Sequence, residues 1–302
     1  MKLRAYLLMI FVVAVWGSTF VLVKDALADA TPLAFNLARM ALAFVILAVA
    51  YHRHWREITR AQLLAGAVVG FFLAAGYQFQ TAGLVQTSPS KSAFITGMVV
   101  VLVPLLSAVP KLRPLGASPP RWNAFLGAVL AFAGILLLTL PAGHGLLPDF
   151  TSVNAGDLLT FGCTIAFAFH CLALGHVSPR VPFQVLALLQ IGFCTLFMAV
   201  STPLLEHPQM HITSRLTIAL GVAALLATAA AFSIQSWAQS ILPATHTALI
   251  LTLEPVFAWL TSFLFAGERL GLRPASGALM ILVGIALTEL IPQPHIPTAH
   301  EA

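Results

Sequence analysis

The chain has 302 residues, 59% of them hydrophobic and only 8% charged, with a mean hydropathy of +0.94 and a formal net charge of +5. Soluble domains carry roughly 25% charged residues, so this composition excludes a water-covered surface and points to a polytopic membrane protein. The basic excess does not indicate nucleic acid, because it is spread along the chain as a topology signal instead of forming one patch.

A bilayer-spanning helix needs about 20 mainly apolar residues. Ten such runs occur, near 5–23, 33–51, 62–82, 92–110, 122–140, 155–174, 183–203, 216–239, 244–266 and 275–292. They lack the alternation of barrel strands. The pattern predicts an all-α polytopic membrane protein of ten transmembrane helices with short connections.

The first run follows Lys2 and Arg4 and exceeds the apolar core of a signal peptide, so it is expected to remain as helix one. It carries Trp16, Gly17, Ser18 and Thr19. Either the ring and hydroxyls line a cavity, or they form an interfacial anchor bonded back to their own helix. Helix two contains Arg39, about 10 Å from its outer start at 1.5 Å per residue. A charge within the membrane faces a partner or a water-filled cavity. Arg39 therefore attracts a substrate carboxylate, binds a protein acceptor such as Glu254, or snorkels to the headgroups. The segment His52–Glu57 reads as a basic cytoplasmic loop beside anionic lipid, without the spacing of a metal site.

Helix three carries Gly66 and Gly70, a packing face, and closes with Tyr77, Gln78 and Gln80. Pro104 lies in helix four and is a candidate hinge. Helix five has Gly127 and Gly134 two turns apart, as helix ten has Gly277 and Gly284. His170 in helix six is titratable, and is either a cavity residue or a satisfied core histidine. Cys163, Cys171 and Cys194 fit no disulfide or metal framework and read as small core residues. Helix eight closes with Gln235, Ser236, Trp237 and Gln239, matching the end of helix three in character. Helix nine contains LTLEPVFAWL, which puts Glu254 near mid-membrane beside Pro255. Pro255 is expected to remove a hydrogen bond within a continuous helix and kink it, as a hinge. Glu254 binds an amine or a proton, or bonds to a neighbouring helix.

With the N-terminus inside, nine Lys and Arg residues fall on the cytoplasmic side and five outside. This bias predicts cytoplasmic N- and C-termini. The chain also repeats at an interval of about 150 residues: GAVLAFAGILL (Gly127–Leu137) aligns with GALMILVGIAL (Gly277–Leu287), and SPSKSAFI (Ser88–Ile95) with PATHTALI (Pro243–Ile250). Pro32 likewise matches Pro182. The expected organisation is one five-helix unit over 1–145, a second over 150–292, and a cytoplasmic tail over 293–302. Five is odd, so the second unit enters the membrane inverted, a recurrent plan of secondary transporters.

Trp16-Gly17-Ser18-Thr19-Phe20, Arg39, Leu253-Glu254-Pro255-Val256-Phe257 and Gly267-Glu268, taken in order, resemble the EamA-type permeases of the drug/metabolite transporter superfamily. The resemblance spans about residues 5–292. It implies ten helices in two copies, export or exchange of small metabolites by alternating access, and cavity roles for helix one. The second copy departs from it, with Phe167-Ala168-Phe169-His170 where the Trp-Gly-Ser-Thr stretch would recur.

No P-loop, GxSxG, HExxH or dinucleotide fingerprint is present, so no enzyme activity, cofactor or metal is indicated. The expectation is a multi-pass secondary transporter of the inner (cytoplasmic) membrane. Its partners are the lipid bilayer and a small amphiphilic or zwitterionic substrate, with proton coupling a candidate. Its cavity would draw on Trp16, Ser18, Thr19, Arg39, Tyr77, Gln78, His170, Gln235, Trp237 and Glu254. A scaffold, a membrane enzyme or a facilitative channel stands as the alternative.

Overall fold

A backbone in hydrocarbon must satisfy its own N–H and C=O groups, and the continuous apolar runs do so as helices. The computed structural model describes residues 2–114, 119–139, 154–239, 250–251 and 253–290. Among these the helices are α1 (Lys2–Ala26), α2 (Pro32–Ala50), α3 (Arg60–Leu84), α4 (Pro89–Gly97), α5 (Val99–Leu106), α6 (Trp122–Thr139), α7 (Ala155–Val177) and α8 (Phe183–Leu205). They continue with α9 (Ser214–Ala224), a π-helical turn (Leu225–Ala230), α10 (Ala231–Gln239), α11 (Glu254–Phe265) and α12 (Leu272–Leu290). No strand occurs among the described residues, apart from an isolated bridge between Ala30 and Met210. Seven helical stretches are long and apolar enough to cross a membrane, and three shorter apolar helices accompany them. Large apolar side chains such as Val45, Phe71, Leu204 and Phe265 stand exposed on the outside of the bundle, where only lipid would match them.

The helix starts follow local chemistry. Thr59 and Gln62 form a capping box at α3. Ser88, Asn154 and Thr213 cap α4, α7 and α9 with side-chain oxygens. Pro32 occupies the first turn of α2, and Pro182 caps α8.

Three expected continuous helices are interrupted. The fourth breaks at Met98, upstream of Pro104, which lies inside α5. The eighth carries the π turn. The described helix of the ninth begins at Glu254, so Pro255 sits in its first turn and not at a mid-helix kink. There the missing N–H has no intrahelical acceptor to lose.

Glycines let helices from the two sequence halves touch. A Cβ on Gly134 would lie 2.6 Å from the Gly277 carbonyl oxygen, and one on Gly284 would lie 2.4 Å from that of Gly127. Gly66 and Gly70 of α3 meet Leu189, Gln190 and Phe193 of α8, and Gly17 of α1 meets the first turn of α11. The apolar core follows these contacts. Met40, Leu47 and Leu73 pack with Ile191, Met198 and Phe232, joining α2 and α3 to α8 and α10.

Polar ties gather at the end of the bundle where α1 stops and α2 starts. The Lys24 ammonium donates to the carbonyls of Leu84, Val85 and Thr87 at 2.6, 2.9 and 3.1 Å. Thr87 donates to Asp157, which also pairs with Lys91 at 3.2 Å. Glu206 accepts from the Thr31 hydroxyl and the Ala34 N–H. Asp29 accepts from Arg215 and Thr213, which hold its carboxyl down to about 2. Glu268 accepts from the hydroxyls of Ser88, Ser90 and Ser262 and from the Ser90 N–H. All but the Lys24 contacts and the Ser262–Glu268 bond tie the first half of the chain to the second.

Candidate functional site

The interrupted helices converge on one central cavity. It is lined by α1 (Trp16, Thr19, Phe20, Val23), α2 (Arg39) and α3 (Leu73, Tyr77, Gln80, Thr81, Leu84), with Thr96, Gly97, Val99 and Val100 at the α4–α5 break. The second half contributes Phe167, His170 and Cys171 from α7, Phe232 and Gln235 from α10, and Leu251 and Glu254. Its volume of ≈ 130 Å³ is roughly ten times the 10–15 Å³ that one water requires, so a small solute fits. Toward the tied end, Phe20, Val23 and Leu84 belong to a buried apolar cluster with Phe35, Ala93 and Leu216. The cavity wall there is continuous with that cluster.

Arg39 is 4% exposed and fixed by three residues on two elements, α3 and the π turn. Its Nε donates to Thr228 Oγ1 at 2.8 Å, and Nη2 donates to the Tyr77 hydroxyl at 3.3 Å and the Ala227 carbonyl at 3.4 Å. The guanidinium carbon also lies 4.5 Å from the centre of the Tyr77 ring, within cation–π range. The π turn supplies two of these acceptors. A wide turn leaves carbonyls outside the ordinary i→i−4 ladder, and Ala227 accepts from Trp16 Nε1 at 2.8 Å as well. Thr228 in turn donates to Ala223 O at 2.8 Å. Behind Tyr77, Asn36 Nδ2 donates to its carbonyl at 2.8 Å while Thr81 donates to Asn36 Oδ1 at 3.1 Å.

Glu254 stands in contrast. It opens α11, is partly buried and lines the cavity. The ion pairs among the described residues are Lys91–Asp157 and Arg215–Asp29, so Glu254 and Arg39 share a cavity without forming the pair that their charges allow. His170 Nε2 lies 3.1 Å from Gln190 Oε1, which fixes the ring.

Seven of the sequence-derived residues thus meet around one space: Trp16, Thr19, Arg39, Tyr77, His170, Gln235 and Glu254. Three point elsewhere. Ser18 bonds Thr261 at 3.2 Å and faces a separate apolar crevice between α1, α9 and α11. Gln78 donates to Ser201 at 2.8 Å, and Trp237 packs against the cluster of Met9, Val13 and Ile250. Gln80, noted in the sequence beside Tyr77, also lines the cavity. Asn36, Thr81, Thr96, Phe167 and Thr228 were missed by sequence reasoning. Helical spacing held a signal for three of them: Asn36 is three residues from Arg39, Phe167 three from His170, and Thr81 four from Tyr77. Cys163 and Cys194 are buried, whereas Cys171 reaches the cavity. No cluster of three or more metal-ligating side chains occurs among the described residues.

The sequence profile of the EamA-like transporter family matches the chain twice, over residues 3–140 and 154–290. An uncharacterized transporter of Archaeoglobus fulgidus is 29% identical over 289 residues, covering 96% of this chain and 87% of that protein. The uncharacterized transporter YvbV of Bacillus subtilis is 27% identical over 296 residues, covering 95% and 92%. A solved crystal structure superposes with a TM-score of 0.64 at 18% identity over 95% of this chain and 98% of that chain, a likeness of fold alone.

Proposed function

This chain belongs to the EamA-like transporter family, and on that premise we propose that it is a secondary carrier moving a small amphiphilic or zwitterionic metabolite outwards, or in exchange, by alternating access. The observation that carries this reading is the placement of the cavity. Both halves of the chain line it, α1–α5 from the first and α7, α10 and α11 from the second, so relative motion of the two halves would open or close it.

The two successive family matches support two units over 1–145 and 150–292. Seven long apolar stretches and three shorter ones suit ten spans, five to a unit, with the second inverted. We place the chain in the inner membrane with both termini cytoplasmic, on the basic-residue bias. Trp16, Thr19, Arg39, Tyr77, His170, Gln235 and Glu254 form the substrate path, and Ser18, Gln78 and Trp237 support the helices around it. Pro104, inside α5 downstream of the break at Met98, and Pro255, at the start of α11 after Leu253, serve as hinges. Glu254 is the group through which a proton would couple to transport.

The test is counterflow in proteoliposomes containing the full chain, run across a broad panel of metabolites. A carrier gives saturable, trans-stimulated flux. Flux that never saturates identifies a channel, and absence of flux for the whole panel overturns transport. For proton coupling, Glu254→Gln is compared with the parent at several external pH values. A folded variant with the parent's rate and pH profile overturns that role.

A further inference from the structure

The two charged side chains that line the cavity, Arg39 and Glu254, are not equally available to a ligand. A substrate carboxylate binds arginine best through two adjacent N–H groups. The edge of Arg39 bearing Nε and Nη2 is already engaged, by Thr228 Oγ1 on one atom and by the Tyr77 hydroxyl and Ala227 carbonyl on the other. The Tyr77 ring covers its face. Aromatic electrons and a carbonyl freed by the π turn thus stabilise this cation without any carboxylate.

Glu254 has no such provision. No side-chain hydrogen bond or ion pair reaches its carboxylate among the described residues, and its place in the first turn of α11 sets a carboxylate at the anion-favouring end of that helix. An ionised carboxylate at membrane depth is costly unless a counter-charge meets it. The walls around it are aromatic, with Trp16, Phe20, Tyr77, Phe167 and Phe232, and aromatic faces attract cations while their bodies bind apolar groups. Gln235 supplies an amide oxygen and His170 a ring nitrogen, with Gln190 bonded to the other. An ammonium has three N–H donors, and Glu254, Gln235 and His170 bring acceptors to the same cavity.

We propose that the ligand this cavity selects is an organic cation: a primary or secondary amine on an aromatic or other apolar body, with its ammonium on Glu254. The inference rests on the reading of the cavity as the transport site and narrows its substrate class. Arg39 then acts as a positioning residue, holding the Tyr77 ring and the π turn in place.

The test uses the purified full chain and probes that share one phenyl body. Radiolabelled 2-phenylethylamine is bound in a scintillation proximity assay and competed with tryptamine, L-phenylalanine and 3-phenylpropionate. Saturable binding displaced by tryptamine is expected, with L-phenylalanine at least tenfold weaker and 3-phenylpropionate inert at a hundredfold excess. Glu254→Gln lowers affinity at least tenfold. If that variant fails to fold, Glu254→Asp, which moves the charge by one methylene, weakens binding several-fold. Absence of amine binding, stronger displacement by either carboxylate-bearing probe, or unchanged affinity in the folded variants overturns the inference. The same amine is then used for counterflow. Binding without counterflow removes the carrier reading and leaves the amine site standing. Counterflow of other solutes without amine binding does the reverse.

Discussion

A Cβ on Gly97 would stand 2.8 Å from Cγ of Pro255, so the break between α4 and α5 lies directly against the first turn of α11. Two interruptions from opposite halves of the chain touch at this point, and both border the cavity. The contact depends on one residue having no side chain and the other being a closed ring that cannot swing aside.

Gly97→Ala therefore forces α4 and α11 apart. A stability loss of about 1–3 kcal/mol is expected for such overpacking, measured as a lower melting temperature in detergent. Pro255→Ala removes the obstructing Cγ, and the double variant recovers part of the loss, because residues in contact are not additive. Independent effects in that cycle would contradict the contact.

Thr228→Val keeps the shape of the side chain but removes the oxygen that accepts from Arg39 Nε. A buried donor left without a partner costs about 1–3 kcal/mol. Thr228→Ser retains the oxygen and is expected to melt within a few degrees of the parent. Equal melting of the valine and serine variants would show that the bond contributes nothing.

The Glu268 clasp has a pH signature. Burial raises its carboxyl, but the hydrogen bonds from Ser262, Ser88 and Ser90 outweigh it and hold the group below its ordinary value of 4.5. A carboxyl depressed on folding contributes stability above its unfolded value and loses it as pH falls through the folded one. Glu268→Gln is thus expected to melt below the parent at neutral pH, with the gap narrowing once pH drops under about 4.5. Thermal melts across that range check the trend. A gap independent of pH would assign the clasp's effect to shape alone.

Gly284 faces the Gly127 carbonyl, whereas Gly221 on α9 has nothing within 4 Å of where a Cβ would stand. Gly284→Ala should separate α6 from α12 and lower the melting temperature, by an overpacking cost of about 1–3 kcal/mol. Gly221→Ala should leave it unchanged or raise it slightly, since alanine favours a helix by up to about 1 kcal/mol. Similar behaviour of the two variants would remove the packing role from Gly284.

Hydrophobic runs made the helices legible, because apolar length is a property of single segments. Paired glycines made the α6–α12 contact legible for the same reason: close approach needs small residues wherever the partner lies. Rotation about each helix was read less well. At 3.6 residues per turn, Trp16 and Ser18 stand about 200° apart, which is why one faces the cavity and the other Thr261. Tyr77 and Gln78 diverge likewise, while Gln80 and Thr81 return to the face of Tyr77. The partners of Arg39 were hidden more deeply. Thr228 lies among alanines and leucines, and no local pattern marks Leu225–Ala230 as π-helical. Availability of a charge was also illegible, since Arg39 and Glu254 differ through groups supplied by distant helices.

The π turn has a further consequence, one of angular phase. It accommodates a residue beyond what an α-helix of the same rise would hold, and each residue turns a helix by about 100°. Every side chain of α10 takes its bearing from that insertion. Deleting one residue from Leu225–Ala230 would restore a regular helix and swing Phe232 and Gln235 away from the cavity while leaving the composition of the span almost untouched. A hydropathy profile would barely register such a deletion, yet the lining of the cavity would be rewritten.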